Sequence, residues 1–338
     1  MHYFAEYGLF LAKIVTALLA IFLLVVGIMV IGSRGKEKLK ERLHVKKLND
    51  KYKDMKNTLS HAVMNKTDFK ELLKTEKTAD KTAETTDRKK IFLIQFHGDI
   101  RASAVKNLRE EITTVLMVAT PKDEIVVCLE SPGGMVHAYG LAASQLTRIR
   151  NRQIPLTIIV DKIAASGGYL MASVANRILA APFAVVGSIG VLAQLPNFHR
   201  LLQKHDIEFE QLTAGEYKRT LTLFGKNTEK ARKKFQEELE EVHTLFKQFI
   251  IEYRPKLDIK KVATGEHWYG SQALTLNLVD ELITSDDYLL NASKNADIYK
   301  VCYTTKKTLA DKIGMTAQAA IDRTLQAWRQ RNDQATYL

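Results

Sequence analysis

Two hydrophobic periods take turns along the middle of the chain. Residues 91–96 (IFLIQF), 124–130 (EIVVCLE) and 155–160 (PLTIIV) are short apolar runs rich in β-branched residues, the pattern of strands buried on both faces. Between them, residues 103–119 place Val105, Leu108, Ile112, Val115 and Leu116 at helical spacing, and residues 135–150 read as a second helix. A further helix is expected to begin near Ser166, and residues 207–214 (IEFEQLTA) read as a strand. A long helix is expected over residues 229–253, with Phe235, Leu239, Val242, Phe246, Phe249 and Ile250 along one face for core or subunit contact. Strands alternating with helices at these intervals predict βαβ units, hence an α/β domain with a mostly parallel sheet covered on both faces.

The N-terminal part departs from this pattern. Residues 14–32 carry no charge and are almost all apolar, long enough for one helix to cross the hydrocarbon core of a bilayer. The run is too long for the apolar region of a secretory signal, and no small-residue cleavage pattern precedes Arg34, so a retained N-terminal transmembrane helix is expected. Lys and Arg are absent from the first twelve residues, whereas Arg34, Lys36, Lys38, Lys40, Arg42, Lys46 and Lys47 crowd the other flank. That asymmetry places the following domain in the cytoplasm. A second uncharged run, residues 178–195, contains Pro182, Gly187, Ser188 and Gly190 and suits a buried strand and turn, so a single-pass protein is expected.

Charge sharpens the domain plan. The net charge is +12, and between Arg34 and Lys90 there are 18 Lys and Arg against 10 Asp and Glu. With only Tyr52 and Phe69 as aromatics, this stretch reads as a basic juxtamembrane segment and linker, and no nucleic-acid partner is expected. The plan is then an anchor over residues 1–33, the linker over 34–90, the α/β domain over 91–300 and a helical extension over 301–338. Cys128 sits in an apolar run as a small buried hydrophobe, and with Cys302 it forms no metal-ligand spacing. Neither a phosphate-binding loop nor a dinucleotide fingerprint occurs, so no cofactor is expected.

Two glycine-bearing loops follow strands. Ser131-Pro132-Gly133-Gly134 comes directly after residues 124–130, and glycines there allow backbone N–H groups to face outward toward a developing anion. The same loop could be an ordinary strand-to-helix turn. Ala164-Ala165-Ser166-Gly167-Gly168-Tyr169 follows the third strand. Ser166 could simply cap a helix, or it could offer its hydroxyl to a carbonyl, with the Gly167 N–H and the helix start stabilising the charge. A serine nucleophile needs a base. No histidine stands in an informative spacing with Ser166, and Lys218 in Gly215-Glu216-Tyr217-Lys218-Arg219 is, by itself, one lysine among many.

Four motifs in order, SPGG at 131–134, ASGGY at 165–169, VGSIG at 186–190 and GEYKR at 215–219, resemble the signal peptide peptidase A family, and the anchor, basic linker and length resemble its SohB branch. The resemblance implies a ClpP/crotonase-like fold of stacked ββα units, a bacterial inner-membrane protein and a serine endopeptidase with a Ser-Lys dyad acting on signal-peptide remnants or unfolded and membrane-derived polypeptides. It carries the nucleophile onto Ser166, the base onto Lys218 and a lysine-orienting hydroxyl onto Ser188. The oxyanion donors fall on Gly133 or Gly134 and on Gly167. It also implies a homo-oligomer whose sites draw serine and lysine from neighbouring subunits, and family members that act on the outer face make the periplasmic side the alternative location. A lysine serves as base only while its amine is neutral, which demands a closed apolar site, with Val185, Val186, Ile189 and Val191 as candidate walls. Two other readings fit the glycine loops: an acyl-CoA enzyme of the crotonase fold, which needs no nucleophilic serine, and a catalytically silent membrane scaffold.

Overall fold

The computed structural model describes residues 7, 8, 10, 11, 13–21, 42–84 and 88–304. The chain divides into two units, one of Met1–Arg42 with Thr304–Leu338 and one of Leu43–Tyr303. In the first, residues 13–21 are helical (α1). The remainder of the expected membrane span, residues 22–32, lies outside the described residues, as does the expected C-terminal extension beyond Thr304. Among the described residues no helix is long and apolar enough to cross a membrane.

The second unit rests on a seven-stranded sheet in the order β1-β10-β2-β3-β4-β6-β9, where β1 is Arg42–Lys47, β2 Lys89–His97, β3 Glu124–Glu130, β4 Leu156–Val160, β6 Arg177–Ala180, β9 Glu281–Leu282 and β10 Ala296–Thr304. From β10 to β9 every pairing is parallel. The pleat explains why these strands read as continuous apolar runs. Phe92, Ile94 and Phe96 of β2, with Ile125, Val127 and Leu129 of β3 and Ile158 of β4, point to one face, where α4 (Val105–Leu116), α5 (Val136–Arg150), α6 (Gly167–Ser173) and the end of α8 (Glu229–Tyr253) cover them. The alternate residues Ile91, Leu93, Val126, Ile159 and Leu179 point the other way, onto Leu48 and Tyr52 of α2 (Leu48–Val63) and Leu289 of α11 (Ser285–Ala292). Cys128 faces this second layer, and burial pushes its thiol up to about 12.

Residues 42–63, placed by the sequence inside the basic linker, are thus folded against the domain. Their hold is mostly polar. The Asn49 side-chain amide donates to the Ser293 and Ala296 carbonyls at 3.1 and 2.9 Å, and its oxygen accepts the Ile298 N–H at 2.8 Å. Lys47 pairs with Asp297 at 3.1 Å. From Lys66 to Glu84 the chain continues as α3.

A smaller sheet, β5-β7-β8 (Ile163–Ala165, Val185–Gly187 and His267–Tyr269), stands beside the large one. β5 and β7 are parallel, with Ala165 opposite Gly187, and β7 and β8 antiparallel. β4, β5 and α6 follow one another as a ββα unit. The uncharged run 178–195 forms β6, a turn at Pro182-Phe183, β7 and irregular chain after it, in keeping with its proline and glycines.

Between β7 and α8 the chain leaves the core as an arm whose one helix is α7 (His199–Lys204). The strand expected over residues 207–214 does not form. Its apolar residues find no neighbouring strand, and Phe209 packs at a tilt against Phe224, which in turn stacks on Phe198. Of the predicted stripe on α8, only Phe246, Phe249 and Ile250 reach the core, and Phe235, Leu239 and Val242 stay half-buried outside it. At the end of α8 Arg254 grips Asp280 with both terminal nitrogens, at 2.7 and 2.9 Å, while the Ile178 N–H donates to the same carboxylate at 2.7 Å. Burial would raise the Asp280 carboxyl, but the guanidinium and the N–H outweigh it and hold it below the ordinary carboxylate range.

Two stability effects follow. Asn49→Ala leaves the Ile298 N–H and the Ala296 carbonyl without their partner, and urea unfolding is expected to show a loss of about 1–2 kcal/mol. Asp280 is depressed in the folded state, so its contribution is complete above the unfolded carboxyl pKa and fades as pH falls through the folded one. The stability gap between the wild type and Asp280→Asn is therefore expected to be constant near neutrality and to close below pH ~4. A gap independent of pH would mean that the ion pair is not what the substitution removes.

Candidate active site

Both glycine loops sit at the C-terminal edge of the large sheet, where a parallel α/β sheet opens its crevice. Ser131 leaves β3 and immediately bonds β5: its N–H donates to the Ile163 carbonyl at 2.8 Å, and its carbonyl accepts the Ala165 N–H at 3.0 Å. The first loop is thereby tied to the strand that ends one residue before Ser166.

Ser166 is half-buried and has φ 52° and ψ −120°, in a region L-residues rarely occupy. Its N–H donates to the Gly187 carbonyl at 2.8 Å, which extends the β5–β7 ladder and holds the residue in place. The side chain does not cap α6. A serine at a helix start usually spends its hydroxyl on capping; here the hydroxyl is left for other chemistry, at the cost of about 1–3 kcal/mol of backbone strain.

The glycines fit closely around it. A Cβ on Gly133 (φ 89°) would lie 2.7 Å from the Gly167 nitrogen and 2.8 Å from the Ser166 Cβ. At Gly167 a Cβ would strike the Tyr139 ring, at Gly168 the Ser131 carbonyl, and at Gly134 the backbone of Ile100. The N–H of Gly133 is engaged, donating to Ser131 Oγ at 3.1 Å. No hydrogen bond engages the N–H of Gly134 or Gly167 among the described residues. The first turn of a helix leaves its N–H groups unpaired, so Gly167 is also favoured by the helix start.

Ser188 stands beside Ser166. Ala165 and Gly187 are register partners, so the two serines are the next residues on adjacent strands, both at positive φ (52° and 51°). The Ser188 N–H donates to the Glu266 carbonyl at 2.6 Å, and Gly187 (φ 100°) leaves room for the Trp268 ring. Val186 and Ile189 are buried in the core, and Val185 and Val191 are half-buried.

Lys218 is elsewhere. It is exposed on the arm, in a turn closed by its own N–H on the Gly215 carbonyl at 3.2 Å. The turn is held to the start of α8 by Glu216 on Lys230 at 2.5 Å and by Lys234 over the Tyr217 ring at 5.5 Å. From Lys230 to Phe246, where α8 meets the core, the helix rises about 24 Å. No hydrogen bond joins Lys218 to Ser166 or Ser188 within the chain among the described residues.

Ser131 and Tyr139, both fully buried, were not singled out by the sequence. Their hydroxyls are 2.5 Å apart, and Tyr139 also donates to the Asp99 carbonyl at 2.8 Å. A tyrosine at the fourth position of an otherwise apolar helix face was the available signal.

The family model described as Peptidase family S49 N-terminal matches residues 2–146, and that described as Peptidase family S49 matches residues 148–299. A protein of Haemophilus influenzae described as "Probable protease SohB" is 48% identical over 326 residues, 92% of each chain. Its counterpart of the same description from Buchnera aphidicola subsp. Acyrthosiphon pisum is 44% identical over 328 residues, 96% of this chain and 97% of that one. Among solved structures, the 1510-N membrane-bound stomatin-specific protease, as an alanine variant, aligns with a TM-score of 0.41 at 14% identity over 61% of this chain and 85% of that one.

The crowding at Gly133 gives a direct test. Gly133→Ala puts a methyl group beside the Ser166 Cβ and the Gly167 N–H and forces an L-residue into φ 89°. Labelling of Ser166 by a serine-directed fluorophosphonate is expected to slow at least about tenfold while the circular dichroism spectrum is kept. Unchanged labelling would separate this loop from the reactivity of Ser166.

Proposed function

The chain belongs to peptidase family S49, and we propose that it is a serine endopeptidase in which Ser166 is the nucleophile and Lys218 the general base. The observation that carries this reading is Ser166 itself: a strained serine, withheld from helix capping, at a sheet edge where the N–H groups of Gly134 and Gly167 are unengaged among the described residues. In this reading the Ser166 hydroxyl attacks a peptide carbonyl and passes its proton to the Lys218 amine. The oxyanion forms against the N–H groups of Gly167 and Gly134, since that of Gly133 is occupied. Lys218 then protonates the leaving amine, and water releases the acyl group from Ser166. Ser188, one position across from Ser166, orients the lysine amine.

The exposure of Lys218 and its placement on the arm support a site completed by a second copy of the chain. The arm is apolar where a solitary protein would be polar: Leu192 and Leu212 are 78% and 93% exposed, with Ile207, Phe209 and Tyr217 also at the surface. Seating this arm on a neighbour would bury those side chains and bring Lys218 into the dry surroundings a neutral amine needs. The apolar run over residues 14–32 serves as the membrane anchor, with the basic flank facing the cytoplasm. An anchored endopeptidase of this kind acts on unfolded or membrane-derived polypeptides, signal-peptide remnants among them.

The test uses the full chain in detergent and a fluorogenic peptide. Ser166→Ala and Lys218→Ala are each expected to abolish cleavage. Mixed and reassembled, the two inactive variants are expected to recover about a quarter of wild-type turnover, the share of neighbour pairs in a randomly mixed head-to-tail ring that hold both intact residues. Retained activity in either single variant sinks the dyad; silence of the mixture confines both residues to one chain.

A further inference from the structure

We infer that Tyr139 is the positioning residue that holds the two glycine loops of the site in register. The inference rests on the peptidase reading above and adds a residue that makes no contact with substrate.

Tyr139 touches both loops at once. Its hydroxyl has one hydrogen, and the Asp99 carbonyl at 2.8 Å receives it. Ser131, 2.5 Å away, must then be the donor to the Tyr139 oxygen. Having given its own hydrogen, Ser131 Oγ is free to accept, and it accepts the Gly133 N–H at 3.1 Å. The order of donation is fixed from end to end: Gly133 N–H to Ser131, Ser131 to Tyr139, Tyr139 to the Asp99 carbonyl. Each hydroxyl and N–H in this relay has a partner, which is the condition under which such a network rigidifies what it joins. Its effect is to turn the Gly133 N–H inward and fix the orientation of the next peptide, whose N–H is that of Gly134.

The other end of the same side chain serves the second loop. A Cβ built on Gly167 would come within 2.7 Å of the Tyr139 Cβ and would overlap its ring, so the Gly167 backbone packs directly against the root of that side chain. Gly98 closes the network from above, where a Cβ would overlap both the Ser131 and Tyr139 oxygens. Tyr139 and Ser131 are both wholly inaccessible. Burial raises the phenol, and it stays a neutral donor throughout the working range. A tyrosine buried only for packing would require none of this directionality.

The experiment compares wild type, Tyr139→Phe, Ser131→Ala and the double variant in the full-length chain, with Ser166→Ala as the blank. Tyr139→Phe is expected to lower kcat about 10- to 100-fold, the range for displacing one oxyanion donor, with KM changed less than about threefold. Inhibition by a peptide aldehyde, whose adduct with the serine is tetrahedral, should weaken by the same factor as kcat/KM. Ser131→Ala breaks the same link with little change in packing and should reproduce the kcat loss. The double variant should be no worse than the poorer single one, because both cut one chain of bonds. Wild-type kcat in Ser131→Ala, whether or not Tyr139→Phe folds, overturns the inference, as do additive losses or a loss confined to KM. Turnover by the Ser166→Ala blank equal to wild type would instead remove the peptidase reading, and this inference with it.

Discussion

The backbone of Ser131 is hydrogen-bonded in both directions to β5, and this single joint makes one site out of two loops. The first loop belongs to the large sheet, because Ser131 follows β3. The second belongs to the small sheet, because Ser166 follows β5 and bonds across to Gly187 of β7. Without the joint, the two sheet edges would be independent surfaces. With it, peptide geometry brings the Gly133 loop to Ser166, and the side chains of Ser131 and Tyr139 then refine the fit. The glycine pattern is a consequence of that closeness. At Gly133 and Gly168 the atoms that a side chain would collide with belong to Ser131 or to the Ser166 loop, and at Gly98 to Ser131 and Tyr139.

Much of this was legible beforehand because it is written in hydrophobic period and glycine spacing. The strands β2, β3 and β4 and the helices α4, α5 and α8 coincide closely with the apolar runs, since a parallel sheet covered on both faces leaves few positions free to be polar, Gln95 and Thr157 among them. The glycine loops stood out for the same reason, as interruptions where only glycine fits. The dihedral angle of Ser166 was not legible. A serine preceding two glycines is compatible with a cap, and only the bond from its N–H to Gly187, distant in sequence, fixes it otherwise.

What escaped the sequence did so for physical reasons. Residues 42–63 join the second face of the sheet through Leu48, Tyr52 and the three bonds of Asn49, too few apolar residues to produce a period. An asparagine that satisfies a strand's edge looks like any surface asparagine. The stretch 207–214 erred the other way: its alternation suits a strand, yet a strand exists only where another offers its backbone, and the arm offers none. Tyr139 is similar. Its helix position predicts burial, and its role depends on Asp99 and Ser131, which belong to other loops.

The arm that carries Lys218 has one more consequence. A peptidase can be kept harmless during synthesis by an added segment that is later cut away. With Lys218 as the proposed base, held in a turn against the start of a long helix, and Ser166 as the proposed nucleophile at the sheet edge, the chain would need no such segment. On the proposed dyad, a solitary copy would be its own zymogen and assembly the activating step. Activity would then rise more steeply than in proportion to abundance, and confinement of the copies to a common surface would advance the onset. Dilution would reverse it without breaking a covalent bond.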